Sequence, residues 1–337
     1  MRYKYLIIAT ALLALISCAK EKTPGKNDDA KRYFDAWISQ NHPGATKTPL
    51  GAYIISDTPG SGAASGDSAY VRINYTSYLL NGDISSTTFE AVARRAGNYN
   101  STYYYGPIVA WRGESLDNLS AGLEEAISTM KVGGRRTLVI PGWLSEAKRY
   151  KKPEQYVANC SGTDHIYELE IVDVFNDVDA WERDSLIRYM NAHHPGAVED
   201  ETYQGIFYVQ DKAGTDKEFP GDTTVYINYS GKLLNGRAFD TTIADTAKVW
   251  GLYSSSKTYQ QTKINWFPEG KDFSAITLGD DDTSVITGFS YGLSLMHPWE
   301  KGKCFFISKY GYSASGSGYS IPAYSPLCFE LEFTKEP

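Results

Sequence analysis

The chain has 337 residues and a net charge of −7, with 42% hydrophobic and 22% charged residues. That length and apolar content suit about two packed domains. The charge, without any basic stripe to meet phosphates, argues against a nucleic-acid partner. Aromatics reach 14%, mostly 26 Tyr and 13 Phe, a bias that favours pleated sheets, on which rings pack well.

The first element is an address label. Arg2 and Lys4 precede an apolar run from Leu6 to Ile16, broken only by Thr10. The run is too short to span a bilayer as a helix and suits a signal peptide. It ends in Leu15-Ile16-Ser17-Cys18, which resembles a bacterial lipobox. Residues 1–18 are therefore expected to be a lipoprotein signal, with Cys18 lipidated and anchoring the chain to the membrane. The alternative is a plain secretory signal with a chance cysteine. Ala19 follows the cysteine where Asp would redirect sorting. The expected location is the cell envelope, at the outer membrane facing the periplasm, with surface exposure as the alternative. Of the other cysteines, Cys304 and Cys328 fall in strand-like runs of one unit and make the only plausible bridge; Cys160 lies elsewhere. No CxxC or His/Cys cluster suggests a metal, and no cofactor is expected.

An internal repeat organises the rest. His42-Pro43-Gly44-Ala45 returns as His194-Pro195-Gly196-Ala197, at an offset of 152. Asn74-Tyr75 and Leu79-Leu80-Asn81-Gly82 return as Asn228-Tyr229 and Leu233-Leu234-Asn235-Gly236, at an offset of 154 that persists through Tyr105/Tyr259. The reading divides the chain into a tether and helix at 19–47, a first unit at 48–176, a linker helix at 177–200 and a second unit at 201–337.

Each unit opens on an amphipathic helix, with Tyr33, Phe34, Trp37 and Ile38 at helical spacing in the first and Trp181, Leu186, Tyr189 and Met190 in the second. These helices are expected to pack on their own units or to space them; a dimerisation arm is the alternative. Ala69 to Tyr75 and Thr223 to Tyr229 then alternate as strands, each leading to an Asn-Gly turn. Later come a short helix ending near Met130 or Met296, an aliphatic strand, a loop, and final strands at His165 to Val174 and Leu327 to Phe333. The order predicts an α+β fold, an antiparallel sheet curled over a helix, made twice.

These residues resemble the FKBP-type peptidyl-prolyl cis-trans isomerase family. In the first unit the resemblance runs from Gly122-Leu123-Glu124-Glu125 to Met130-Lys131-Val132-Gly133, and through Arg136 to Pro141. In the second it rests on Tyr229-Ser230-Gly231, Leu234-Asn235-Gly236, Phe239-Asp240, Val285-Ile286, Gly288-Phe289, Tyr310-Gly311-Tyr312, Ile321-Pro322 and Phe329. The similarity covers about Leu50 to Val174 and Gly205 to Phe333.

The resemblance implies two FKBP-like domains, and a catalytic pocket in the second. Tyr229, Phe239, Val285, Ile286, Phe289, Ile321 and Phe329 would wall a proline ring. Tyr312 would donate to the peptide carbonyl, and Asp240 would be the lone carboxylate at the rim. Two features depart from the family. Phe289 stands where the pocket floor usually has tryptophan, a change the family tolerates with reduced or altered activity. Residues 241 to 272 form a long insertion whose aromatics (Trp250, Tyr253, Tyr259, Trp266, Phe267) either extend the binding surface or, as expected here, make their own small core. The first unit has Ser85 and Ser86 for Phe239 and Asp240, Leu123 for the floor, and no late tyrosine or Ile-Pro loop. It is expected to be structural or a binding module. The implied function is a lipid-anchored isomerase acting on proline-containing segments of exported proteins. The alternatives are a non-catalytic chaperone or binding module and a glycan-binding surface lipoprotein.

Overall fold

The computed structural model describes residues 26–113 and 119–334; the signal segment and Cys18 lie outside the described residues. Seven helices are used below: α1 (Asp28–Asn41), α2 (Glu90–Arg95), α3 (Ala121–Ser128), α4 (Pro153–Asn159), α5 (Val178–His193), α6 (Ala244–Val249) and α7 (Thr287–Ser294). The strands of the first repeat are β1 (Thr46–Lys47), β2 (Tyr53–Thr58), β3 (Ala69–Leu79), β4 (Ile84–Thr87), β5 (Ile108–Arg112), β6 (Arg135–Ile140) and β7 (His165–Phe175). Those of the second are β8 (Ile206–Lys212), β9 (Thr224–Leu233), β10 (Ala238–Thr241), β11 (Thr262–Asn265), β12 (Thr277–Leu278), β13 (Thr283–Ser284), β14 (Lys301–Phe306) and β15 (Leu327–Thr334).

The strands form two sheets, one per repeat, and their topologies coincide. The first runs β2-β6-β7-β3, with β4 and β5 both on the free side of β3; the second runs β8-β14-β15-β9, with β10 and β11 both on β9. Every pairing is antiparallel. The strands pair beyond the alternating stretch. β3 continues to Leu79, where Gly82 closes a turn by donating to the Leu79 carbonyl at a φ of +92°, a backbone region that favours glycine. Gly236 does the same after β9, with a φ of +84°.

Alternation along each strand sends one set of side chains inward. Ile73, Leu138 and Ile171 meet Ile127 of α3 in the first core. Ile227, Phe306 and Leu331 meet Leu293 of α7 in the second. Helix α7 lies very close to its sheet, because a Cβ on Gly288 would stand 2.4 Å from the Phe306 ring. The same alternation separates the two cysteines. Cys304 pairs with Phe329 and Cys328 with Phe305, so neighbouring positions project to opposite faces. Cys304 enters the core under α7, whereas Cys328 packs under α5. Both are free thiols, so the one bridge that the sequence left plausible is not formed.

The opening helices bury fewer residues than their spacing suggests. On α1, Phe34 and Ile38 are buried and Phe34 packs edge-on to Trp143, 5.4 Å between centroids, but Tyr33 is 64% exposed. On α5, Leu186 and Met190 are buried against Phe207, Phe305 and Ile307. Its first turn reaches the other repeat, where Trp181 stacks on Phe175 at 4.4 Å and donates from Nε1 to Asp173 at 2.9 Å. The helix therefore packs on its own unit and spaces the two.

Candidate active site

The second repeat carries a cavity of about 380 Å³ lined by residues of β9, β10, α7, β15 and the loop after β14. All nine residues singled out from the sequence line it: Tyr229, Phe239, Asp240, Val285, Ile286, Phe289, Tyr312, Ile321 and Phe329. They come from five places in the chain. Tyr229 lies on β9, Phe239 and Asp240 on β10, Phe289 on α7 with Val285 and Ile286 just before it, Tyr312 and Ile321 in the loop after β14, and Phe329 on β15.

Phe329 is the centre of the wall. Its ring meets Phe289 at 5.1 Å, Phe239 at 5.6 Å and Tyr229 at 6.2 Å, the first two nearly edge-on. Edge-to-face contacts put the positive ring edge against the negative face of the next ring, which holds the rings open around a space instead of collapsing them into a stack. Phe289, Ile321 and Phe329 are buried, and the other wall residues are half-buried. The Phe239 ring lies across β9 at Gly231, where a Cβ would stand 2.3 Å from it.

Asp240 is the one carboxylate among the residues that line the cavity, as expected, and it has partners. The Tyr229 hydroxyl donates to its Oδ2 at 2.8 Å, the Thr241 N–H donates to Oδ1 at 2.8 Å, and Lys257 of the insertion forms an ion pair with it. Burial first, then the Asp240 charge and hydrogen bond, raise the Tyr229 phenol well above its ordinary pKa. Tyr229 is thus held as a neutral donor to the carboxylate. Burial also raises Tyr312, with a smaller push from Asp240. Its hydroxyl makes no hydrogen bond among the described residues and remains free to donate.

Four lining residues escaped the sequence reading: Leu278, Ser284, Ser317 and Ser320. Leu278 and Ser284 lie on two-residue strands and Ser317 and Ser320 in a loop, segments too short or irregular to carry a periodic signal. The loop itself is built by turns. Ser317 and Ile321 exchange backbone hydrogen bonds of 2.7 and 3.2 Å, and Gly316 and Gly318 have positive φ.

The insertion does not make a core of its own, which corrects that expectation. Trp266 is buried in the main core beside Phe219 and Phe333, at 4.8 and 5.9 Å. Tyr253 and Tyr259 instead stack at 5.3 Å on the surface, as Tyr99 and Tyr105 do at 5.5 Å in the first repeat.

At the equivalent place in the first repeat, Ser85 and Ser86 are exposed on β4, and the Tyr75 hydroxyl lies 3.2 Å from Ser86 Oγ. Leu123 is half-buried against the core. Helix α4 occupies the stretch where the second repeat has its Ile-Pro loop.

The family described as FKBP-type peptidyl-prolyl cis-trans isomerase matches residues 215–334. The second repeat therefore carries a domain of this type. A Haemophilus influenzae protein described as a probable FKBP-type peptidyl-prolyl cis-trans isomerase is 27% identical over 131 residues, 39% of this chain. The chain spans 42% of that relative's length. Among solved structures, the three FKBP domains of wheat FKBP73 overlap 84% of this chain and 94% of their own at 15% identity and a TM-score of 0.30. A peptidyl-prolyl cis-trans isomerase from Pseudomonas syringae overlaps 47% of this chain and 92% of its own at 24% identity and a TM-score of 0.32. FkpA from Escherichia coli overlaps 51% and 70% at 21% identity and a TM-score of 0.30.

Proposed function

We propose that this chain is a peptidyl-prolyl cis-trans isomerase that acts through its second repeat on X–Pro bonds of exported polypeptides. The observation that carries the reading is the aromatic cavity around Phe329, inside the residues that match the family. Its volume falls in the range of about 300–1,000 Å³ usual for ligand sites.

Rotation about an X–Pro bond must break amide resonance, a barrier of roughly 18–20 kcal/mol, and uncatalysed exchange takes tens to hundreds of seconds. No nucleophile or metal is required. Resonance places negative charge on the oxygen and positive charge on the nitrogen of the planar amide, and a ring-walled cavity solvates that separation poorly. The twisted amide has less of it and is favoured there, which is stronger binding of the transition state than of the ground state. Tyr312 donates to the peptide carbonyl. Asp240, fixed by Tyr229 and Lys257, keeps the rim polar while the floor stays apolar.

The test is a protease-coupled isomerase assay on the full chain and on Phe239→Ala. Removing the ring opens the cavity to water, so turnover should fall sharply in a protein that still melts cooperatively. Activity that survives Phe239→Ala in a folded protein would refute the assignment. The phenyl ring of Phe289 at the floor favours a second reading, a non-catalytic module that holds proline-containing segments. Peptide binding without turnover in the wild type would select it.

The envelope location rests on the lipobox-like Leu15-Ile16-Ser17-Cys18. In this proposal Cys18 carries the lipid and the protein serves polypeptides arriving in the periplasm.

A further inference from the structure

The loop that closes the proline cavity has a second side. Ser317, Ser320 and Ile321 face the cavity, whereas Gly318, Tyr319 and Pro322 face a separate cleft of about 600 Å³ between the repeats. The far wall of this cleft is the first repeat's counterpart of the cavity. Tyr75, Ser85 and Ser86 stand 154 residues before Tyr229, Phe239 and Asp240. The rim hydrogen bond is repeated too, between Tyr75 and Ser86 instead of Tyr229 and Asp240. The chemistry differs, with hydroxyls in place of the carboxylate and the ring. Among the described residues no charged side chain lines the cleft; its surface combines tyrosine rings and the aliphatic Ile84, Ala93, Ile108 and Pro322 with Ser and Thr hydroxyls and the Asn98 amide.

The first repeat grips the loop from this side. The Tyr104 N–H donates to the Tyr319 carbonyl at 2.7 Å, and the Tyr103 ring stacks on Tyr319 at 4.4 Å. Tyr70 meets Tyr324 edge-on at 5.1 Å. Even so, Tyr319 stays 73% exposed, which leaves one of its faces open to a ligand.

We propose that this cleft is a second site for the same polypeptide. The stretch flanking the proline crosses the Ser317–Ile321 loop and lies along the tyrosines. The inference rests on the proline-cavity reading. A single loop separates the two spaces, and an extended chain gains about 3.3 Å per residue, so a few residues beyond the proline reach the cleft. Tyrosine rings offer contact area and hydroxyls offer hydrogen bonds to a peptide backbone. The cations nearest the cleft are already engaged, Arg237 over the Tyr105 ring and on the Ser101 carbonyl and Arg72 at Tyr104 and Trp181, so a charged residue there would be desolvated with little compensation. The cleft thus selects uncharged flanks rich in Ser, Thr, Asn, Tyr and small apolar residues.

The test uses the full chain and three labelled peptides, read by fluorescence anisotropy. One is a blocked four-residue X–Pro peptide. The second is a twelve-residue peptide with the same centre and uncharged flanks, and the third has Glu and Lys in those flanks. Ser86→Trp fills the cleft from an exposed strand position, and maltoheptaose serves as a competitor. The uncharged long peptide should bind roughly tenfold tighter than the short one, the gain from one or two aromatic contacts. Ser86→Trp and charged flanks should each erase that gain, and Ser86→Trp should leave the short peptide unchanged.

A short peptide that binds with no gain on lengthening would overturn this inference and spare the cavity reading. So would equal weakening of both peptides by Ser86→Trp. Displacement of the flanks by maltoheptaose would make the cleft a sugar site and overturn it as well. A gain sensitive to Ser86→Trp, with short-peptide binding indifferent to Phe239→Ala, would overturn the cavity reading. Binding of neither peptide would overturn both.

Discussion

A Cβ at Gly231 would stand 2.3 Å from one Phe239 ring carbon and 2.5 Å from another, so the ring keeps its place only because this strand position has no side chain. The first repeat has Ser77 at the matching position and Ser85 in place of the ring. Gly231→Ala should therefore swing Phe239 away and lower kcat/KM, with a smaller effect on the melting temperature. In a Phe239→Ala background the same change should do almost nothing further to kcat/KM, because the two act through one contact. Additive losses would show that Gly231 matters for another reason. Phe239→Ala should cost less stability than the about 3–5 kcal/mol typical of a fully buried ring, since Phe239 is half-buried. Tyr312→Phe removes one hydroxyl at the rim and should cost about 0.5–1.5 kcal/mol in kcat/KM, with the melting temperature unchanged.

Among the elements, α5 joins apolar docking to a buried acid. Leu186 and Met190 supply the apolar contact, each worth about 1.5–3 kcal/mol when fully buried. Glu182 on the same helix has no exposed surface and accepts from the N–H and hydroxyl of Ser308, both at 2.6 Å. Burial pushes its carboxyl up to about 7, against the pull of the Ser308 hydrogen bonds. Between about pH 4.5 and 7 the folded chain holds this proton and the unfolded chain has released it. Stability from this group is therefore full below that window and falls as pH rises through it, by up to about 3 kcal/mol. Melting curves of wild type and Glu182→Gln across pH 4.5 to 7.5 check this. The wild type should lose more than the variant on going up, and parallel curves would remove Glu182 from the account. Helical spacing drew attention to Trp181, Leu186, Tyr189 and Met190 but passed over Glu182, because a carboxylate between apolar positions reads as solvent-facing until its partner is known. That partner is 126 residues away in sequence.

At the scale of the molecule, the two repeats meet through the first turn of α5, the loop after β4, the β9–β10 turn, the loop after β10 and the Ile-Pro loop. Arg237 donates to the Ser101 carbonyl at 2.6 Å, Ser101 donates to the Gly251 carbonyl at 2.8 Å, and Tyr104 packs against the second core. The first repeat, which lacks the ring and carboxylate at its own cavity position, is in direct contact with the loop of the other. If the envelope proposal holds, the assembly hangs from Cys18. Mass spectrometry of membrane-extracted protein should then find an acylated cysteine at the mature N-terminus, and Cys18→Ala should leave the membrane fraction. Retention of that variant in the membrane would count against the anchor.

The amino-acid order alone carried the repeat and the antiparallel character of the strands, and its short motifs carried the family resemblance that implied the nine residues sharing one cavity. Each of these is written in local signals: a fixed offset, alternation, a turn glycine, or a short motif in the right sequence. Other features depended on which surfaces meet. Cys304 and Cys328 lie on paired strands, yet strand register puts them on opposite faces of the sheet. Tyr33 has the spacing of a packed residue and faces water because α1 meets the core through Phe34, Trp37 and Ile38. Trp266 joins the main core instead of an insertion core, because β11 pairs with β9 and carries it there. The Lys257 partner of Asp240, the buried Glu182 and the shared loop between cavity and cleft likewise arise from contacts between distant segments. Periodicity reports which way a side chain points within its own element. Only the packed chain determines what stands opposite, and there the charges find partners and the clefts find their walls.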